Sequence, residues 1–465
     1  MSSQRKEHDL IGERAVPQDA YYGIHTLRAL ENFPLTGIPL FAHPELVVAL
    51  ACVKQAAALA HRDLGTLPHS SANAIADACR EIREGRLHEQ FVVDVLQGGA
   101  GTSANMNANE VIANRALEIL GHARGSYDSV HPNDDVNRAQ STNDVYPTAV
   151  KLALHAASRV LLDAMAELAH AFEDRGGAFA KTVKLGRTQL QDAVPMTLGQ
   201  EFDVFALTVR DDARLVRSAA DALCEINLGG TAIGTGLNTD PGFTRAVIAH
   251  LAELTSVAVR PARDRIESTQ GMGGFIQLSS ALRQFALRLS KVCNDLRLLG
   301  SGPHAGLSEI RLPAVQAGSS IMPGKVNPVV PEAVNQVCFD VVGADAAVCA
   351  AAQAGQLQLN AFEPLIAHHL LNSANRLAAA CRILAERCVR GIEANEQRLR
   401  GLVEGSAGLA TALNPVVGYR CASELAQRSI ETGRPVRELV AHSGLVPSED
   451  LDRLLDPWRL AHPEQ

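Results

Sequence analysis

The tightest constraint in this 465-residue sequence is a helix-spaced stretch with almost no polar side. From Ala333 to Gly355 only Asp340 and Asp345 carry charge; the rest is largely Ala, Val, Cys and small polar residues. A helix that is apolar nearly all round must be covered on most faces. Helical spacing of Ala, Leu and Val also runs over 44–64, 70–84, 146–175, 197–226, 243–256, 265–299 and 363–400, with breaks rich in Gly and Pro. Aromatic residues make up only 4% of the chain, so aliphatic side chains have to fill the core. The pattern predicts a mainly α fold. A central bundle of long helices spans 145–400, its centre completed by other subunits, with smaller domains at 1–144 and 401–465.

Charge and cysteines narrow the class. The formal net charge is −8, with no basic run and no aromatic-basic interleaving, which argues against a nucleic-acid partner. The nine cysteines are scattered singly from Cys52 to Cys421, a pattern of reduced cytoplasmic thiols rather than a disulfide framework or a zinc site. Met1 to Arg14 is charged and lacks an apolar core, so no signal peptide is expected. No window of about 18 residues is apolar throughout, so no membrane span is expected either.

The most unusual break is Ala317-Gly-Ser-Ser-Ile-Met-Pro-Gly-Lys-Val-Asn-Pro-Val-Val-Pro-Glu332. Its glycines and prolines rule out a helix until after Pro331. It carries Ser319, Ser320, Lys325, Asn327 and Glu332, a polar set that a plain turn does not need. Three other breaks have the same character: Gly101-Thr-Ser-Ala-Asn-Met-Asn107, Gln140-Ser-Thr-Asn-Asp144 and Gly186-Arg-Thr-Gln-Leu-Gln191. Ser141-Thr142-Asn143 also reads as a helix N-cap cluster. The glycine-rich run Gly229–Gly236 has no Gly-Lys-Ser/Thr ending and no preceding strand, so it is not a nucleotide cradle. No metal-ligand spacing and no nucleophile–histidine spacing is present. Together the four breaks could form a pocket of neutral donors plus Lys325, suited to a small dicarboxylate on which negative charge builds up.

The run Gly318-Ser-Ser-Ile-Met-Pro-Gly-Lys-Val-Asn-Pro328 resembles the signature of the aspartase/fumarase superfamily. The Gly-Thr-Ser, Ser-Thr-Asn-Asp and Gly-Arg-Thr segments stand in that superfamily's order, and the resemblance covers essentially the whole chain. The aspartase branch is the nearer one. Gln189 stands where fumarases place a histidine, and 21–29, 325–336 and 356–360 also look like aspartase. Asp135 departs from the pattern: relatives commonly have histidine there, near a secondary anion site of fumarases. Gly324 replaces the alanine of some aspartases.

The resemblance implies reversible elimination of ammonia from L-aspartate to give fumarate through an aci-carboxylate. The alternatives are a fumarate hydratase or a related lyase on a variant amino acid. It implies Ser319 as the base for the Cβ proton. Thr102, Ser141, Thr142 and Thr188 would bind the β-carboxylate, Lys325 and Asn327 the α-carboxylate, and Asn143 and Gln189 the amino group. It also implies a cytoplasmic homotetramer with composite sites, a mobile 317–332 loop and no required cofactor. Some members respond to divalent cations, but no ligand cluster here places one.

Overall fold

The computed structural model describes residues 4–462. Its helices are α1 (Ile24–Asn32), α2 (Pro44–Asp63), α3 (His69–Arg83), α4 (Thr102–Ile119), α5 (Thr142–Ala178), α6 (Leu198–Ala222), α7 (Phe243–Thr255), α8 (Arg265–Gln270), α9 (Gly273–Leu299), α10 (Val329–Gln353), α11 (Glu363–Arg387), α12 (Glu396–Gly405), α13 (Asn414–Thr432), α14 (Val436–Ser443), α15 (Ser448–Leu454) and α16 (Pro457–Ala461). Two antiparallel hairpins accompany them: β1 (Gln4–Asp9) with β2 (Gly12–Pro17), and β3 (Val183–Thr188) with β4 (Gln191–Thr197). The mainly α class is as expected. At 37 residues, α5 is about 55 Å long at 1.5 Å per residue.

Three boundaries differ from the sequence reading. The stretch 265–299 is two helices, because the chain turns extended at Gly271. The stretch 363–400 stops at Arg387 and resumes as α12. Helix α10 starts at Val329, ahead of Pro331, not after it. Pro331 falls in the first turn, where a backbone N–H would have no partner inside the helix, so its missing donor costs little. The break at 186–195 proves to be the β3–β4 hairpin, with a bulge between Leu185 and Arg187.

The described residues divide into two compact units. The first comprises 4–162, 214–284 and 340–377. Here α2 packs on α3 and α7, and α3 on α4. Of the three charges of α10, Asp340 and Asp345 are answered within this unit. Asp345 accepts from Ser279 Oγ at 2.7 Å and Arg283 Nη1 at 2.9 Å, and Asp340 pairs with Arg376. The second unit comprises 163–213, 285–339 and 378–462. One of its cores joins Leu185 of β3 to Val403, Leu413, Leu439 and Leu451 of the C-terminal helices. Another is an aromatic cluster of Phe172, Phe179, Phe202 and Phe205.

Two helices, α2 and α10, are long and apolar enough by composition to cross a membrane, which the sequence reading did not expect. The apolar window of α2 is 78% buried inside the fold, as a core helix should be. That of α10 is only 39% buried, and Phe339 is 62% exposed. A single chain therefore does not cover this helix. All nine cysteines are free thiols.

One buried carboxyl makes folding sensitive to pH. Glu363, at the start of α11, is fully buried and one of its oxygens has no partner. Burial lifts it to about 8, against a weaker opposing pull from Lys151. The folded chain thus keeps a proton that the unfolded chain releases at about pH 4.3. Its contribution to stability is full below that pH and is lost as pH rises towards 8. We expect the thermal unfolding midpoint to fall from pH 5 to pH 8, and Glu363→Gln to flatten the fall. An unchanged slope in that variant would assign the pH dependence to other groups.

Candidate active site

The nine residues singled out in the sequence fall into two sets. Thr102, Ser141, Thr142 and Asn143 lie in the first unit; Thr188, Gln189, Ser319, Lys325 and Asn327 lie in the second.

In the first set, two helix N-termini are brought together. Gly101 has φ +90, and a Cβ there would meet the Tyr146 ring at 2.4 Å. The chain can therefore turn tightly onto α4 and present Thr102 only with glycine at this position. Thr102 itself is exposed, and its hydroxyl donates to Gly99 O at 2.6 Å. Ser141 caps α5 as expected, its Oγ accepting from Asn143 N at 3.2 Å. The reciprocal bond runs from Ser141 N to Asp144 Oδ1 at 3.0 Å, which completes a capping box. Asn105 of α4 donates to Thr142 Oγ1 at 3.0 Å and so ties the two termini to each other.

Beneath them lies a buried polar floor that the sequence reading missed. Lys54, fully buried in α2, donates to Asn137 Oδ1 at 2.7 Å and Gln140 Oε1 at 3.0 Å. Burial lowers it to about 7, with Asp144 pulling the other way. Asp144 has no exposed surface, and burial raises it to about 6. Its Oδ2 accepts from Gly229 N at 3.1 Å and Thr231 N at 2.9 Å. The signals were there: a lone lysine in the apolar run 46–60, and Ser-x-x-Asp spacing at 141–144. Asp135, the departure from the family pattern, accepts the His131 backbone N–H at 2.7 Å. It thus closes the short turn at 132–136.

In the second set, Thr188 and Gln189 sit at the exposed tip of the β3–β4 hairpin, where Gln189 and Leu190 take positive φ. The hairpin is anchored from below by Glu309, which has no exposed surface. Lys184 Nζ and Arg187 Nη2 approach its carboxylate to 3.0 and 2.5 Å, though poorly aligned for hydrogen bonds.

Ser319, Lys325 and Asn327 share one irregular loop. A Cβ on Gly318 would lie 2.0 Å from Lys325 O, so the loop crosses itself there and only glycine allows the crossing. Asn327 Nδ2 holds the crossing by donating to Gly318 O at 2.8 Å. Gly324 has φ +78, a conformation that alanine adopts less readily, which eases the turn. Inside the loop, Ser319 Oγ accepts two backbone N–H groups, Met322 N at 2.9 Å and Ile321 N at 3.2 Å. Donors aimed at a hydroxyl oxygen favour its ionised form. Ser319 is half-buried, while Ser320 to Val326 are exposed, Ile321 at 82%.

Comparison with known proteins places the chain in a family. The family model described as "Lyase" matches residues 12–343, and "Fumarase C C-terminus" matches 409–462. The aspartate ammonia-lyase of Pseudomonas aeruginosa is 55% identical over 464 residues, covering 100% of this chain and 98% of that protein. Among solved structures, the fumarate lyase:delta crystallin of Brucella melitensis, bound to cobalt, matches with TM-score 0.97 and 55% identity. That match covers 99% of this chain and 100% of that one. The class II fumarase of Schistosoma mansoni matches with TM-score 0.95 and 34% identity over 100% of both chains. The chain belongs to the aspartase/fumarase superfamily of lyases.

Proposed function

We propose that the chain is an aspartate ammonia-lyase, converting L-aspartate reversibly to fumarate and ammonium. The observation that carries the reading is the Ser319 hydroxyl, held by Met322 N and Ile321 N on a self-crossing loop. The Cβ proton of aspartate is barely acidic. It can leave if the adjacent carboxylate takes up the charge as an aci-carboxylate while a base accepts the proton. Ser319, with two N–H donors to stabilise its oxyanion, is that base.

The other roles follow from donor chemistry. Thr102, Ser141, Thr142 and Thr188 bind the β-carboxylate, and Lys325 and Asn327 the α-carboxylate. The charge gathering on the β-carboxylate is met by neutral hydroxyls at helix N-termini, with Lys54 held by Asn137 and Gln140, just ahead of Ser141 in the sequence. Asn143 and Gln189 hold the amino group through amide oxygens, which accept from an ammonium as a protonated imidazole cannot. The amino group is already an ammonium in the substrate. When the C–N bond breaks, its electron pair goes to nitrogen and neutral NH3 leaves, so no strong general acid is needed; NH3 becomes ammonium by taking up the proton released from Cβ. The exposed apolar tip of the 317–328 loop suits a lid that closes over substrate and buries Ile321.

The assembly is a homotetramer with composite sites. The uncovered apolar face of α10 supports subunit packing there. Nine free thiols support a reducing, cytoplasmic setting. The test is fumarate absorbance with purified protein given L-aspartate or L-malate separately. Fumarate from aspartate alone is expected; turnover of malate but not aspartate would overturn the reading in favour of a hydratase.

A further inference from the structure

The glycine-rich run 229–236 matches no nucleotide motif, yet the structure builds it with care. Gly229, Thr231, Gly234 and Gly236 all have positive φ. Gly234 N and Gly236 N both donate to Gly230 O, at 3.0 and 2.9 Å, closing the run into a knot. A Cβ on Gly234 would meet Ile266 N at 2.4 Å, and one on Gly229 would meet Thr244 Oγ1 at 2.3 Å. Arg265 clamps the knot from outside, donating to Gly229 O at 3.1 Å and Thr244 Oγ1 at 3.0 Å.

Three backbone groups of the knot reach residues 143 and 144. Its amides at Gly229 and Thr231 take Asp144 Oδ2. Its Ala232 carbonyl accepts Asn143 Nδ2 at 2.8 Å. The Asn143 main chain is gripped as well. Pro147, four residues on, has no N–H to give to Asn143 O, and that carbonyl instead accepts Asn227 Nδ2 at 2.9 Å. Asn227 is itself fully buried and donates to Thr269 Oγ1 at 3.0 Å.

A carboxamide facing a carbonyl must face it with nitrogen. With one N–H of Nδ2 given to Ala232 O, the Asn143 amide cannot flip, so Oδ1 is kept off that carbonyl and accepts no hydrogen bond among the described residues. We propose that the 229–236 knot is a positioning element that uses the Ala232 carbonyl to fix the Asn143 amide as an acceptor for the substrate ammonium. A free amide could turn its own N–H groups towards that cation; the fixed one cannot. This inference rests on the aspartate reading and adds the device that sets polarity at the amine subsite.

The direct test alters one acceptor and no side chain. Replacing Ile233 by its α-hydroxy acid converts the 232–233 amide to an ester, whose carbonyl is a weaker acceptor. Ile233 is 43% exposed, so its unchanged side chain stays where it was. Losing about one net hydrogen bond should raise KM for L-aspartate about five-fold. Inhibition by succinate, which has both carboxylates and no amine, should stay within about two-fold, because it does not use Asn143. Arg265→Met, which removes the Nη1 donor shared by Gly229 O and Thr244 Oγ1, should shift the two ligands in the same unequal way. Parallel weakening of aspartate and succinate would reduce the knot to general scaffolding, and an unchanged aspartate KM would overturn the proposal. Wild-type protein that binds succinate but leaves L-aspartate unchanged would instead overturn the aspartate reading, and the ammonium partner with it.

Discussion

Ser319→Ala should lower kcat for L-aspartate by about 10²–10⁴-fold, the range expected when a proton-transfer group is removed, and leave the fold intact. The residue is half-buried, and its Oγ holds only Ile321 N and Met322 N of its own loop. Both N–H groups belong to exposed residues, so water can replace the lost acceptor at little cost in stability. The expected signature is therefore specific: near-wild-type circular dichroism, subunit assembly and succinate binding, with fumarate production and deuterium exchange at Cβ both lost. Wild-type-like turnover in this variant would remove Ser319 as the base.

Glu309→Ala should have the largest effect on stability. Glu309 has no exposed surface, and Lys184, at 3% side-chain exposure, lies 3.0 Å from it. Arg187 approaches to 2.5 Å. Removing a buried charge partner strands the cations it compensated, a loss of about 3–5 kcal/mol. Lys184 keeps Glu201 at 2.5 Å, which places the expected loss near the lower end, at about 3 kcal/mol. The effect should reach the chemistry too, because Arg187 adjoins Thr188 and Gln189 at the hairpin tip. Chemical denaturation would read the first effect, and a rise in KM for L-aspartate the second. A variant as stable as wild type would show that the misaligned pairs contribute little.

The sequence was informative about helices and less so about how they are finished. Long periodic runs identified α2, α3, α5, α6 and α10 within a few residues, since each buries an apolar stripe that spacing reveals. The β3–β4 hairpin was hidden. Two strands of six and seven residues containing Gly186 and Pro195 look like a break, and pairing with each other is not visible in either alone. For α10, periodicity showed a helix apolar on most faces, while the single chain buries only 39% of its apolar window, because spacing reports how apolar a face is and not which molecule covers it.

The candidate site shows the same division. Its four polar breaks were legible because Ser, Thr and Asn beside glycine are conspicuous in an otherwise aliphatic chain. The groups that hold them were not. Asp144, Lys54 and Asn227 act through contacts with residues far off in sequence, and spacing alone cannot supply those distances. The run 229–236 reads in the sequence only as not a nucleotide cradle, because its contact with Asn143, more than eighty residues earlier, is not visible in spacing.

The most direct measurement of the mechanism uses 3-nitropropionate, whose nitronate carries its two negative oxygens where the aci-carboxylate would. A site built for that intermediate binds such a mimic about 10²-fold or more tightly than it binds a ground-state dicarboxylate. Titration of the wild-type protein should give that preference over succinate, with the advantage disappearing at pH values where the nitronate is protonated. Equal affinity for the nitronate and succinate would contradict elimination through an aci-carboxylate at this site.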